Sequence, residues 1–454
     1  MRENDSNPDF QLRPDLIPWI NAICASPGFR RSARLQRFLQ YVVHHSVISP
    51  DKPLKEARIA VDVFERRRNF DPQIDPIVRV EAGRLRLRMT EYYAGPGQND
   101  DIIIEIGKGG YFATFNPNTA KPTLQPGNDV AVAYAAAYRL YLKGRYFWDK
   151  RTLEGLKKAS EYFERASALN PAFVQATIGV ADCNLVAATF EFAAPTEAIA
   201  NARKKVEEVL RCNVRSAGAR TTLSAIQAFY DRDWSAAEAG FKRAIEIDAK
   251  YATAWQWYGV YGIALGRLDE GLNALRHATE CDPLSLMANT QLACGLYLVR
   301  RYEEAKQLCD LALEIDPNCW PAHYFLGLTY QQQNLFAQAV RELRHAEELS
   351  NGNALAVAAL AHVYGQAGSQ LDARKILLQL HQGCSGYVSE WALALVYAGL
   401  GEREPALSAL AQSIAAHSPQ SAMFMSGEPR LDGLRSDPRF RQMQSVLYGQ
   451  ASLG

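Results

Sequence analysis

The chain has 454 residues, 48% hydrophobic and 22% charged, with 50 Lys and Arg against 49 Asp and Glu and a net charge of +1. That length allows two or three domains, and the composition is that of an ordinary water-soluble protein. The start, MRENDSNPDF, lacks an apolar signal core, and the longest weakly polar stretch, residues 130–138, is too short to span a bilayer. The expectation is therefore a cytoplasmic protein with no membrane anchor.

The first predicted helix carries Arg30, Arg34 and Arg37 at i, i+4 and i+7, on a different face from Leu35, Phe38, Leu39, Val42 and Val43. A second short helix is expected over residues 54–64, followed by the loop ERRRNFDPQID. Asp75 as N-cap and Pro76 at the first helical position then open an Arg-rich helix. Its apolar stripe is Val78, Ala82, Leu85 and Met89. Arg79 and Arg86 lie on one flank, Arg84 and Arg88 on the other. Gly83 in mid-helix costs about 1 kcal/mol relative to Ala, which a close backbone approach would explain.

A β-hairpin follows. Ile102, Ile104 and Ile106 alternate with Ile103 and Glu105, and the turn Gly107-Lys108-Gly109-Gly110 is expected to need positive φ. Tyr111, Phe112 and Phe115 belong to the return strand. Residues 30–95 hold 14 basic and 8 acidic residues, an excess of six in a chain whose total is +1. Such concentration fits a polyanion partner, and equally a solvated Arg-rich face. The helix–loop–helix–hairpin order favours duplex DNA. Arg79, Arg84 and Arg86 would then lie nearest the bases or phosphates, with Arg88, Arg34 and Lys108 on the backbone. Lys108 reads equally as an ordinary turn lysine.

VRVEAGRLRLRM followed by IIIEIGKGGYFATF resembles the winged-helix effector domain of response regulators of the OmpR/PhoB type. Residues 28–116 resemble more closely a bacterial module that precedes tetratricopeptide repeats. Two positions depart from the pattern: Gly83, where a larger residue is usual, and Gly107, where Pro is usual. The resemblance implies a winged-helix DNA-binding module over residues 1–116.

NPNTAKPTLQPGND marks a linker at about residues 117–130. Beyond it the sequence repeats every 34 residues. Ala305, Ala339 and Ala373 form one series; Leu292, Leu326 and Leu360 another; Ala244, Ala278, Ala312 and Ala346 a third. Pro283 and Pro317 close helices at the same spacing. This pattern resembles the tetratricopeptide signature of paired antiparallel helices. About eight units are expected over residues 131–419, with a capping tail at 420–454. The fold class is mostly α, a winged helix followed by an α-solenoid. Stacked repeats present a groove, whose lining is expected to include Gln256, Thr290, Tyr297, Tyr324, Gln331, His362 and Trp391; each alone reads as plain packing or surface, and the set together as a groove that binds a protein or peptide.

Catalytic chemistry is not expected. There is no phosphate loop, no H-E-x-x-H and no G-x-S-x-G. The eight cysteines include no C-x-x-C pair, so Cys183, Cys294 and Cys309 read as packing residues, and neither metal nor cofactor is expected. The reading is a DNA-binding transcriptional regulator whose array binds a protein. The alternatives are a non-enzymatic scaffold, or an accessory subunit of a signalling system, whose first module docks protein.

Overall fold

The computed structural model describes residues 17–30, 32–48, 53–64, 66, 70, 75–98, 100, 102–107, 110–117, 128–283, 285–383 and 387–449. The chain divides into two compact units: Met1–Tyr146 with Arg165–Phe173, and Phe147–Glu164 with Val174–Gly454.

In the first unit the apolar stripes form the core as their spacing predicts. Helices α1 (Ile17–Ala25), α2 (Ala33–Ile48), α3 (Glu56–Asp62) and α4 (Ile77–Ala94) precede strands β1 (Ile102–Ile106) and β2 (Ala113–Pro117). Phe38, Val42, Val78, Ala82, Leu85 and Ile104 are wholly buried. The strands pair antiparallel, with Ile104 opposite Phe115. Helix α4 begins one residue later than expected. Pro76 is its N-cap, and Asp75 Oδ1 accepts the Ile77 amide at 3.0 Å.

Three local expectations change. Tyr111 and Phe112 lie in the turn, outside β2. Neither Gly107 nor Gly110 has a positive φ. Their small size serves the Phe112 ring, which a Cβ at either position would strike. Gly83 has open space around it, with no atom within 4 Å of where a Cβ would stand, so no close approach explains it.

Helix α5 (Asn128–Asp149) starts in the first unit, where Arg139 Nη2 donates to the Phe115 carbonyl at 3.1 Å. The division between units thus falls within α5, past the Pro-rich segment at 117–130.

Helix pairs then follow in series. After α6 (Leu153–Leu169) they are α7 (Val174–Thr189) with α8 (Pro195–Cys212), and α9 (Ala217–Ile226) with α10 (Trp234–Ile247). Next come α11 (Ala252–Ala264) with α12 (Leu268–Cys281), α13 (Leu286–Leu298) with α14 (Tyr302–Ile315), and α15 (Trp320–Gln332) with α16 (Phe336–Leu349). The last are α17 (Ala354–Gln366) with α18 (Gln370–His381), and α19 (Glu390–Gly399) with α20 (Arg403–Ala415).

The turn within successive pairs is set by a left-handed residue recurring every 34 positions: Arg232 (φ 61°), Gly266 (77°), Arg300 (68°), Asn334 (59°) and Gly368 (85°). Glycine adopts this conformation freely, whereas for Arg it costs about 1–2 kcal/mol. The second helices are amphipathic. By contrast α13, α17 and α19 are apolar nearly all round and buried nearly all round, so something covers both of their faces. Gly365 and Gly399 let α17 and α19 touch; a Cβ on Gly399 would stand 2.6 Å from His362 Cα.

The chain ends in α21 (Pro419–Phe424), a 3₁₀ turn (Pro429–Leu434) and α22 (Pro438–Tyr448).

Candidate functional site

What covers the inner helices is the C-terminal segment, together with turns from the start of the array. Ser285 and Ser389 cap α13 and α19, accepting the Ala288 and Ala392 amides at 3.2 and 3.1 Å, and so fix where these helices begin. Early turns close on later helix starts. Trp320 Nε1 donates to the Arg151 carbonyl at 2.7 Å, Asn353 Nδ2 to the Phe190 carbonyl at 2.7 Å, and Ser389 Oγ to Glu191 Oε1. The Phe190 and Trp320 rings meet edge-on at 5.4 Å.

The C-terminal segment then runs along the inner helices. Gln420 Nε2 donates to the Thr189 carbonyl. Tyr297 donates its hydroxyl to Glu428 Oε1 at 2.7 Å. Arg430 grips Glu428 through Nε and Nη2, both at 2.9 Å, and reaches the Tyr324 hydroxyl at 3.3 Å. Both charged side chains are nearly inaccessible, at 2% and 3%. Burial alone would raise the Glu428 pKa, but the adjacent guanidinium and its hydrogen bonds outweigh this and hold the carboxyl below its ordinary value. Arg300 binds the Gly427 carbonyl at 2.5 Å and both Asp432 oxygens at 2.8 and 3.1 Å. Leu431 is wholly buried. At the far end Trp234 Nε1 donates to the Leu447 carbonyl at 3.0 Å.

The tetratricopeptide-repeat family matches residues 321–353, one helix pair of the series. Among solved structures, a Rap protein complexed with Competence and Sporulation Factor superposes with a TM-score of 0.51 at 13% identity, over 72% of this chain and 99% of that one. A chain of the APC/C hetero-tetramer Cut9–Hcn1 superposes with a TM-score of 0.50 at 12% identity, over 97% of this chain and 78% of that one. No curated protein matches the sequence. The array has the fold of a tetratricopeptide-like solenoid.

The residues expected to line an open tetratricopeptide groove occupy a filled one. Tyr297, Tyr324 and Trp391 are buried, the first two against Glu428 and Arg430 and the third beside Phe424, with ring centroids at 6.5 Å. Gln331 is buried and donates to His362 Nδ1 at 2.5 Å and to Gln366 Oε1 at 2.6 Å. His362 is wholly buried, and burial beside Arg430 lowers its pKa to about 3, so it stays neutral. Thr290 is also wholly buried and bonds within its own helix, to the Leu286 carbonyl at 2.8 Å. Gln256 alone among the seven is half-exposed. The geometric correction has one cause: the segment expected to cap the array's end lies along its inner face. A cavity remains between them, walled by Trp320, Tyr324, Trp391 and Phe424.

Within the N-terminal unit the Arg set is largely engaged internally. Arg86 does not project outward. Its Nε and Nη2 donate to the carbonyls of Ile106, Gly107 and Gly110 at 3.2, 2.7 and 3.0 Å, clasping the hairpin turn. Arg79 pairs with Glu56 at 3.1 Å, Arg84 with Glu81 at 2.9 Å and Arg88 with Glu91 at 2.7 Å. Arg34 is exposed on α2. Lys108 lies outside the described residues.

Among the described residues no group of three His, Cys, Asp or Glu side chains could hold a metal, and no helix is long and apolar enough to cross a membrane. Cys183 is buried, Cys294 and Cys309 are buried free thiols, and burial raises the pKa of Cys294 and Cys309. Sequence reasoning missed Arg300, Glu428 and Arg430. The signal that could have found them is the all-round apolar character of α13, α17 and α19, which demands a second covering layer.

Proposed function

We propose that the protein is an interaction scaffold whose tetratricopeptide array binds other proteins through its inner face. The observation that carries this is the face itself. It holds a folded protein segment through tyrosine hydroxyls bonded to that segment's buried carboxylate and guanidinium, and through a bidentate arginine, the contacts of a protein–protein hot spot. The Rap protein, which shares the fold, was crystallised with a bound factor, in keeping with this reading. The N-terminal unit serves as a second docking module. DNA recognition has weaker support, because Arg86 clasps the hairpin and Arg79, Arg84 and Arg88 are each neutralised by a glutamate.

Cross-linking mass spectrometry of the full chain with its bound proteins tests the reading. Inter-protein cross-links should fall on array residues that border the inner face, such as Lys150 in the turn beside Trp320. Cross-links confined to the N-terminal unit would contradict it.

A further inference from the structure

Resting on the scaffold reading, we infer that the inner face recognises one kind of partner segment: an acidic residue, then Arg two positions on, then Leu and a second acidic residue. The chain's own residues 427–432 hold that site in cis and must be displaced.

The recognition elements are set out along Gly427-Glu428-Pro429-Arg430-Leu431-Asp432. Arg300 reads the Gly427 carbonyl and the Asp432 carboxylate, Tyr297 reads Glu428, Tyr324 reads Arg430, and Leu431 is swallowed whole. Pro429 pre-sets part of the turn, which lowers the ordering cost of such a segment.

Two features separate this surface from a plain cap. A cover for apolar helices needs only apolar residues, and a buried ion pair adds little to stability over an apolar replacement. Its contribution is selectivity, because the pair closes within the segment under Tyr297 and Tyr324, and a segment lacking either charge would leave the other buried and unpaired. Secondly, a strained turn position is used for the segment. Of the five left-handed turn residues spaced by 34, two are Arg: Arg300 binds the segment as described, whereas Arg232 reaches the Ile414 carbonyl of α20 at 2.5 Å. Gly266 and Gly368 stand at the equivalent positions elsewhere, so the turn itself does not require Arg. Strain kept where a side chain reaches a bound segment points to binding.

A tethered segment competes at an effective concentration on the order of millimolar, so an untethered partner reaches the face only when it is a better match or the tether loosens. The face is thereby self-masked.

The test uses the full chain and a fluorescently labelled peptide of residues 426–435. Glu428→Gln with Arg430→Gln weakens the cis segment without leaving a lone buried charge. This variant should bind the peptide at least about tenfold more tightly than the unaltered chain, as expected when a tethered competitor is weakened. Adding Arg300→Gly should lose about fivefold of that affinity, the upper size for a bidentate contact that is half-exposed. Replacing Arg by Gln in the peptide while keeping Glu should lose at least about tenfold, because a charge is left buried and unpaired. Arg300→Gly suits the turn, so loss of binding there reports recognition and not misfolding.

A variant that melts cooperatively near the parent temperature yet binds no peptide overturns the inference. If the variant does not fold, hydrogen exchange in the unaltered chain decides. Amides of 426–434 that open only with the whole array overturn it, and amides that open earlier support it. If proteins still cross-link to the array while the peptide is not bound, the segment preference fails and the scaffold reading stands.

Discussion

Tyr297 donates to Glu428 at 2.7 Å, joining α13 to a segment 131 residues further along the chain. Arg430 completes the group: a buried carboxylate, a guanidinium and two phenols bond to one another, while Arg430 Nη1 has no hydrogen-bond partner among the described residues. Removing one member should therefore cost more than removing the pair. Arg430→Ala is expected to destabilise by about 3–5 kcal/mol, because Glu428 is left charged and buried. Glu428→Gln with Arg430→Met should cost far less. Denaturant midpoints for the single and double variants check this, and additive losses would contradict it.

Trp320 and Trp391 are each 1% exposed. Truncation of either to Ala should cost about 3–5 kcal/mol, as for other buried aromatics. Gln256→Ala, at a half-exposed position, should cost within about 0.5 kcal/mol. Thermal melts of the three variants separate packing residues from surface ones. A Trp391→Ala variant that melts with the parent would restore the open groove expected from sequence.

Repeat period, helix pairing and the hairpin were all legible in the sequence, because each rests on a local rule: 34-residue recurrence, 3.6-residue stripes, and the alternation of Ile102, Ile104 and Ile106. The covering of the inner face was not. Tyr297 and Glu428 are brought together across 131 residues, a contact that no local pattern encodes. The left-handed turn was hidden differently. Its backbone conformation recurs at 34, but its residues, Arg, Gly, Arg, Asn and Gly, share no side-chain chemistry. Arg86 misled for a related reason. An Arg on a helix flank looks free until the hairpin folds back and offers it three carbonyls.

That clasp makes its own prediction. Arg86→Ala should loosen the hairpin and cost about 2 kcal/mol, the scale of hydrogen bonds from a charged donor. Lys at this position should rescue poorly, since one ammonium cannot reproduce the planar fork. Backbone exchange at residues 103–106 and 113–116 reads the effect. In parallel, Arg84→Gln with Arg88→Gln should leave retention of the full chain on random duplex DNA unchanged. A steep, salt-dependent loss in that double variant would revive the DNA reading.

Glu191 gives a pH dependence. Its carboxyl is 2% exposed, and burial raises its pKa from 4.5 to about 7, only partly offset by hydrogen bonds from Ser389. The phenols of Tyr230 and Tyr387 are its ionisable neighbours. Below about pH 4.5 it is protonated in folded and unfolded chains alike, and above about 7 it is ionised in both. Between these limits the folded state keeps a proton that the unfolded state releases, so stability falls as pH rises, by roughly 3 kcal/mol in total. Glu191→Gln should flatten this slope and raise the melting temperature at pH 7.5. An unchanged slope would place the ionisation elsewhere.

Hydrogen exchange on the unaltered full chain, followed through a denaturant series, tests the central claim most directly. A self-masked interaction face requires the segment at residues 420–434 to open as a unit while α13, α15 and α17 remain protected. The expected result is that its amides exchange at denaturant concentrations well below the global transition, while those of Leu292–Leu296 and Leu326–Thr329 do not. Exchange of both sets only at the global transition would make the segment a permanent core element and contradict the account.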